Sequence, residues 1–244
     1  MLDIALLWEA RGLILQGLWN TLWICFLGCL LALSLGMVLA ALRLANPRIF
    51  GYPVACYVEM CRGIPLLILL FLLYYGGPSI GLRLNAEIAG VTGIGLYGAG
   101  YFAEIYRGGF KSIPKGQLEA ARMLGISPWH ALIRIQVPQM ARLIVPSGTN
   151  QLIVLVKESA LISIISVDDL TKNATTIVNQ TFQVIEPYLA VALLYWLIIE
   201  LIARSGYALE KRLANRQPRQ QGATPHANGP EALTAIVYPP KSDG

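Results

Sequence analysis

The sequence predicts an all-α integral membrane fold of five transmembrane helices, with the amino terminus outside and the carboxyl terminus inside. Three observations predict it. Apolar residues fill 55% of the 244 positions before any of the 23 glycines is counted, and charged residues fill only 14%, where a soluble domain carries about 25% charge. Five stretches are apolar over roughly the twenty residues needed to cross a hydrocarbon core. The basic residues also sort to alternate loops, as the positive-inside bias requires.

Residues 1–17 precede the first span and are expected to lie outside. Met1-Leu2-Asp3 puts no basic region ahead of the apolar run, so no cleaved signal peptide is expected. The first span, about 18–42, holds no charge and ends at Arg43. It carries Gly28, Ala32, Gly36 and Ala40 at four-residue spacing, a stripe that lets another helix approach closely, here expected within this chain rather than in a dimer. The second span, about 52–75, holds Glu59 and Arg62 in its first half and is interrupted by Gly63-Ile64-Pro65. Such a break frees backbone groups, which is tolerable at depth only when buried in protein or facing a cavity.

The third span, about 86–106, contains Gly93-Ile94-Gly95-Leu96-Tyr97-Gly98. This matches the GxGxxG dinucleotide pattern but lacks the strand–turn–helix around it, so helix packing is the expected role. The fourth span covers about 143–165. The fifth covers about 188–203, with Glu200 and Arg204 spaced for an interfacial pair. These elements make a membrane domain over 18–213. From 214 to 244 the composition turns to Pro, Gly, Gln and Ala without an apolar period, which predicts a disordered cytoplasmic tail.

With the amino terminus outside, fourteen of the 19 basic residues fall in inner segments and three, Arg11, Arg83 and Lys172, in outer ones. The pI near 9.1 is thereby accounted for without nucleic acid. The four cysteines (Cys25, Cys29, Cys56, Cys61) lie in or beside apolar stretches, show no CxxC spacing, and are expected to act as small hydrophobes. The only histidines are His130 and His226. No metal site, no catalytic residues and no P-loop are expected. Asn173-Ala174-Thr175 and Asn179-Gln180-Thr181 are formal glycosylation sequons in an outer loop.

The inner loop, about 107–142, is patterned. Pro114 suits the first turn of a helix; Leu118, Ala121 and Leu124 line one face; Gly125 suits the position past its end. Ser127-Pro128 restarts a second helix, expected to run to about Val137 before Pro138. The result is a helix–turn–helix beneath the membrane, with Ala120 and Ala121 leaving room for a partner and Glu119 offering an exposed carboxylate. The pattern alone equally fits a helix lying on the lipid surface.

Glu119-Ala120-Ala121-Arg122-Met123-Leu124-Gly125, followed by Ile135-Gln136-Val137-Pro138-Gln139, resembles the EAA loop of ABC importer permeases. More narrowly, Arg62-Gly63-Ile64-Pro65-Leu66-Leu67 with Phe71 and Tyr74-Tyr75 resembles the second span of polar amino acid permeases of the histidine, glutamine and arginine type. Ala103-Glu104-Ile105-Tyr106-Arg107-Gly108-Gly109 and Lys157-Glu158-Ser159-Ala160-Leu161 are similar to that family's third- and fourth-span signatures. The resemblance covers about 17–213. Leu69 stands where the family commonly has glutamine, and Glu158-Ser159-Ala160 replaces Asp-Thr-Ser, which bears on substrate preference.

The resemblance implies a permease subunit of a type I importer in the bacterial cytoplasmic (inner) membrane. Its implied partners are two cytoplasmic ATPase subunits, a second permease subunit (identical or homologous), an external substrate-binding protein, a polar amino acid and the surrounding membrane lipid. It implies no cofactor on this chain, with ATP and Mg bound by the ATPases, and no nucleic acid. Glu119, Ala120, Ala121 and Gly125 would form the coupling helix docked on the ATPase. Arg62, Glu104, Lys157, Glu158 and Ser159 are candidates for the substrate pathway, because ionisable groups at depth mark a pathway or a pair. Glu59 with Arg62, and Glu104 with Arg107, are three apart and could instead pair internally. Lys157-Glu158-Ser159 offers cation, anion and hydroxyl on one turn, which suits a zwitterion. The alternatives are an importer for another small solute, an ATP-independent channel or secondary transporter, and an integral membrane enzyme. Against the last two stand the absence of an inverted repeat and of any paired nucleophile and base.

Overall fold

A computed structural model describes residues 4–214, and all secondary structure among them is helical. The helices are α1 (Ile4–Glu9), α2 (Arg11–Ala45), α3 (Pro47–Gly63), α4 (Leu66–Phe71), α5 (Ala86–Lys111), α6 (Lys115–Met123), α7 (Pro128–Ala131), α8 (Val137–Glu158), α9 (Leu170–Thr181) and α10 (Ile185–Ala214). Among the described residues, three helical stretches are long and apolar enough to cross a membrane: Arg11–Ala45, Pro128–Ile165 and Ile185–Ala214. The segment ahead of Leu18 is itself helical. The tail expected over 214–244 lies, from 215 onward, outside the described residues.

The stretch expected as a second span is two arms, Pro47–Gly63 and Leu66–Ile80, bent by 106°. The cause is local. A proline forces the residue before it out of the helical region, and Ile64 is extended at φ −102°, ψ 128°. Pro65 follows at φ −59°, ψ 141°, so neither residue can pass the helix on.

Helix α5 is the axle of the bundle, packed against α2, α3, α4, α8 and the segment 159–165. Its 26 residues include seven glycines. Surrounded by protein rather than lipid, it can be small and glycine-rich where the outer helices must be greasy, and it does not meet the apolarity of the three spans above. Phe102, Ile94, Leu70, Leu155, Ile162 and Ile165 are fully buried around it. Large apolar side chains face outward instead on α2 (Trp19, Trp23, Phe26) and α10 (Leu193, Trp196, Leu197, Leu201). Such a surface is at home in hydrocarbon.

Because lipid tails are as apolar as leucine, close packing rather than water exclusion holds such helices together. The four-residue stripe on α2 is buried within this chain: Gly28, Ala32, Gly36 and Ala40 all face inward. A Cβ at Gly36 would sit 2.6 Å from Phe102 Cβ, and one at Gly28 would sit 2.8 Å from Ile94 Cγ2. The dinucleotide-like glycines serve the same interface, Gly98 facing Ala32 and Gly95 facing Leu31. Gly36→Val is expected to cost about 2 kcal/mol, the scale of overpacking a close-packed contact. The check is the thermal midpoint of the purified protein in detergent.

At the far end of α2, hydrogen bonds tie it to the segment leading into α9. Asn20 Nδ2 donates to Asp168 O at 2.8 Å, Leu170 N donates to Thr21 Oγ1 at 3.0 Å, and Asn173 Nδ2 donates to Leu13 O at 2.8 Å. Asp169 is completely buried and caps α9 by accepting from Thr171 N and Lys172 N. Burial raises its carboxyl above the usual range, with those amides pulling the other way. Asn173 of the first formal sequon is thus buried and spent on holding α2.

Candidate functional site

The loop over 107–142 contains two short helices, α6 and α7, joined by a tight turn. Helix α6 ends in a Schellman motif: Ile126 N donates to Ala121 O and Gly125 N to Arg122 O, each at 3.0 Å. Gly125 sits at φ +72°, a conformation that costs any residue with a Cβ. Ser127 caps α7, accepting from His130 N, with Pro128 in the first turn. Gln139 Nε2 donates to Gln117 Oε1 at 2.7 Å, and Gly109 packs on Met140 and Ile144. The base of the loop is therefore bridged, by one side-chain bond from α8 to α6 and by the packing of α5 on α8.

Four local expectations are corrected. Pro114 is the residue before α6, not in its first turn. Leu124 does not join the buried face; it is 78% exposed, since the turn to Gly125 swings it outward. Ala121 is only 3% exposed and packs within this chain, leaving Ala120 as the member of the pair that faces out. The second helix does not stop before Pro138. A wider π-turn at Leu132–Gln136 carries it directly into α8, with Pro138 near the start of α8. The wider turn gives the proline ring the room that an α-turn would deny it.

What the loop exposes is a mixed patch. Met123 is 89%, Leu124 78% and Trp129 66% exposed, with Glu119, Arg122 and Arg134 around them, also exposed. Beside it a cleft of about 450 Å³ opens between Gly125, Ser127, His130 and Arg134. Among the described residues Glu119 makes no ion pair.

The candidate pathway residues fall in three places. Glu104 has both oxygens occupied: Oε1 takes Arg43 Nη1 at 2.6 Å, and Oε2 takes Arg107 Nε at 2.8 Å with Arg107 Nη2 alongside. This clamp joins the carboxyl-terminal parts of α2 and α5, each side chain about a quarter exposed. Arg62 and Glu59 are exposed beside the break and make no ion pair with each other. The third place is the end of α8. Lys157 is exposed, Glu158 is half-buried, and Ser159 is fully buried with its hydroxyl donated to Val156 O at 2.8 Å. The three do not share a face, because consecutive helical residues point about 100° apart; the helix tightens to a 3₁₀ turn from Ser159 onward. The Ser159 hydroxyl proton is thus already used within the helix. Glu200 and Arg204 pair at 2.7 Å.

Glu158 is the distinctive member. Its Oε1 lies 3.5 Å from the Tyr97 hydroxyl, which is 3.2 Å from the Tyr101 hydroxyl. Its Oε2 is enclosed and has no hydrogen-bond partner. The two tyrosines and Arg43 are not among the site residues expected from the sequence. Tyr97, Tyr101 and Glu104 lie at i, i+4 and i+7 on α5, a spacing that does mark one face. Nothing comparable marks Arg43, 61 residues from its partner.

Residues 32–215 match the family described as "Binding-protein-dependent transport system inner membrane component". The chain is 35% identical over 207 residues to "Probable amino-acid ABC transporter permease protein YckA" of Bacillus subtilis, covering 85% of this chain and 92% of that one. It is 31% identical over 212 residues to "Probable glutamine ABC transporter permease protein GlnM" of the same organism, covering 87% and 98%. Among solved structures, an amino acid ABC transporter with histidines superimposes with a TM-score of 0.79 at 32% identity, over 87% of this chain and 99% of that one.

Proposed function

From the premise that the chain belongs to the binding-protein-dependent transport system inner membrane components, integral membrane subunits of ABC importers whose ATPase activity resides on partner subunits, we propose its particular role. It is the permease that moves polar amino acids across the bacterial cytoplasmic membrane, crossing five times with the amino terminus outside. It works with two ATPase subunits that bind ATP and Mg, a second permease and an external substrate-binding protein.

The observation that carries this reading is the inner loop. It is a helix–turn–helix with an apolar tip, flanked by Glu119, Arg122 and Arg134, that the described residues leave uncovered. An exposed cluster of Met, Leu and Trp on a capped element is the form of a docking surface. ATP-driven closure of two ATPases would move two such tips, and the spans above them would open alternately outward and inward. Glu119 and Ala120 present the contact face, Gly125 sets the angle of α6, and buried Ala121 seats α6 on its own chain. In the pathway, Glu158 with its unpartnered oxygen is the acceptor for a substrate ammonium group. Lys157 and Arg62 are the exposed cations available for a carboxylate.

The test is uptake into proteoliposomes holding the full transporter, with binding protein outside, ATP inside and a panel of labelled amino acids. Uptake of one or more of them that requires internal ATP is the expected result. Uptake indifferent to ATP would point to a channel or secondary carrier, and ATP-driven uptake of a solute outside the panel would leave the importer but move its substrate class.

A further inference from the structure

We propose that the groove between α2 and α10 binds one acyl chain of an anionic phospholipid, with Arg204 and Arg212 holding its phosphate. This rests on the permease reading, which sets both helices in the bilayer. The two helices pack on α8 but scarcely on each other, and a groove of about 520 Å³ lies between them. Leu152 and Val156 of α8 form its floor, Phe26 and Leu33 line one wall, and Leu197 and Leu201 line the other. Every lining residue is aliphatic, aromatic or a cysteine. No water is available at this depth to fill such a space, and close-packed proteins do not leave voids of that size empty. On α2 the lining runs from Leu18 to Leu33, about 22 Å of helix. That is more than the depth of one leaflet, half of a core about 30 Å thick. A slot of that length suits an extended hydrocarbon chain.

Charge decides which end takes the headgroup. The groove face of α10 continues past Ile202, and Arg212 falls on it, five full turns after Leu194. Arg204 flanks the mouth, two residues beyond Ile202, with its side chain 79% exposed. Its Nε is paired with Glu200 at 2.7 Å, while its Nη atoms make no hydrogen bond among the described residues. Glu210 is turned away, into a separate cleft between α10 and α8. At the opposite end the cations are engaged: Lys172 is paired with Asp168 at 2.9 Å, and Arg11 donates to Trp8 O and lies over the Trp8 ring. Two exposed guanidiniums at one mouth are the complement of a phosphate, and basic clusters beside spans recognise anionic headgroups.

The test reconstitutes the permease–ATPase complex in phosphatidylcholine nanodiscs with a trace of phosphatidylglycerol bearing a photoactivatable group on one acyl chain. Cross-links are mapped to single residues by mass spectrometry. They are expected on Phe26, Leu33 and Leu197, to saturate as the probe is raised, and to be displaced by unlabelled phosphatidylglycerol but not by added phosphatidylcholine. Arg204→Gln combined with Arg212→Gln is expected to weaken the preference for phosphatidylglycerol about fivefold per charge removed. Both residues are exposed, so the fold is expected to survive. Leu197→Trp, which fills the groove from α10, is expected to abolish the saturable cross-links. Leu30→Trp fills it from α2 and replaces Leu197→Trp should that variant fail to assemble on size exclusion.

Cross-links spread over Trp19 and Trp196, which lie outside the groove, and rising in proportion to the probe would mark ordinary surrounding lipid and overturn the site. An unchanged headgroup preference in the double arginine variant would overturn the phosphate contact. A bifunctional thiol reagent joining Cys29 of two permeases would give the groove to a second copy instead of a lipid. None of these results touches the importer reading, which fails only if uptake ignores ATP.

Discussion

Glu119→Lys is expected to lower ATP-driven uptake at least about tenfold while leaving the thermal midpoint of the isolated chain unchanged. Both halves follow from the position of this carboxylate. It is exposed on α6 and makes no ion pair among the described residues, and substitutions at such sites shift stability by no more than about 0.5 kcal/mol. Any loss must therefore arise from a partner. Across an interface, reversing a charge that faces a complementary group costs about 2–5 kcal/mol, or roughly 30-fold to several-thousand-fold in affinity. The measurement pairs uptake in proteoliposomes with the amount of ATPase subunit retained on the purified permease. Uptake lost with the ATPase still bound would assign Glu119 to transmission rather than attachment. Normal uptake would mean that α6 is not the docking element.

The second large effect is at the clamp between α2 and α5. Among the described residues, Glu104 is the one carboxylate paired with both Arg43 and Arg107. Glu104→Ala leaves two guanidiniums facing one another without it. Breaking a buried pair by removing one partner costs about 3–5 kcal/mol. With each side chain about a quarter exposed, the low end, about 3 kcal/mol, is expected here. The signature is non-additivity. Arg43→Ala combined with Glu104→Ala should be less damaging than the sum of the two, because the second change removes a charge that the first left stranded. Additive losses in thermal midpoint would show that the two groups act independently. Since α5 runs from this clamp straight into the loop that carries α6, a loosened clamp should also raise ATP hydrolysis that is not matched by uptake.

Features written in adjacent residues were the legible ones. Gly125, Ser127 and Pro128 stop and restart helices by chemistry confined to one turn, and the structure places a left-handed Gly125 and a capping Ser127 at those positions. The small-residue stripe on α2 was legible for the same reason, its four-residue period being a property of one helix. Pro65 announced a break, but its angle depends on what the second arm packs against, and no local rule supplies 106°. Pro138 misled because the helix widens just before it, and the π-turn has no sequence signature of its own. Glu104 with Arg107 was open to a spacing argument, whereas Arg43 reaches the same carboxylate from another helix. Of the fourth-span motif, spacing already said that the adjacent Lys157, Glu158 and Ser159 point about 100° apart, but not which of them would be buried, which depends on the helices packed against the end of α8.

The seam between α2 and α5 has an evolutionary consequence. Glycines sit against bulk across it, Gly28 opposing Ile94, Gly95 opposing Leu31 and Gly36 opposing Phe102, while Ala32 and Gly98 meet as two small residues. Each bulky member has its complement on the other helix, so neither strand of the pairing can drift alone. A lineage that enlarges position 36 must first shrink position 102, and the intermediate that does so carries a cavity instead of a clash. Substitutions here should therefore enter related chains as matched exchanges, with bulk passing from one helix to the other, while the outward tryptophans and leucines of the same helices turn over freely.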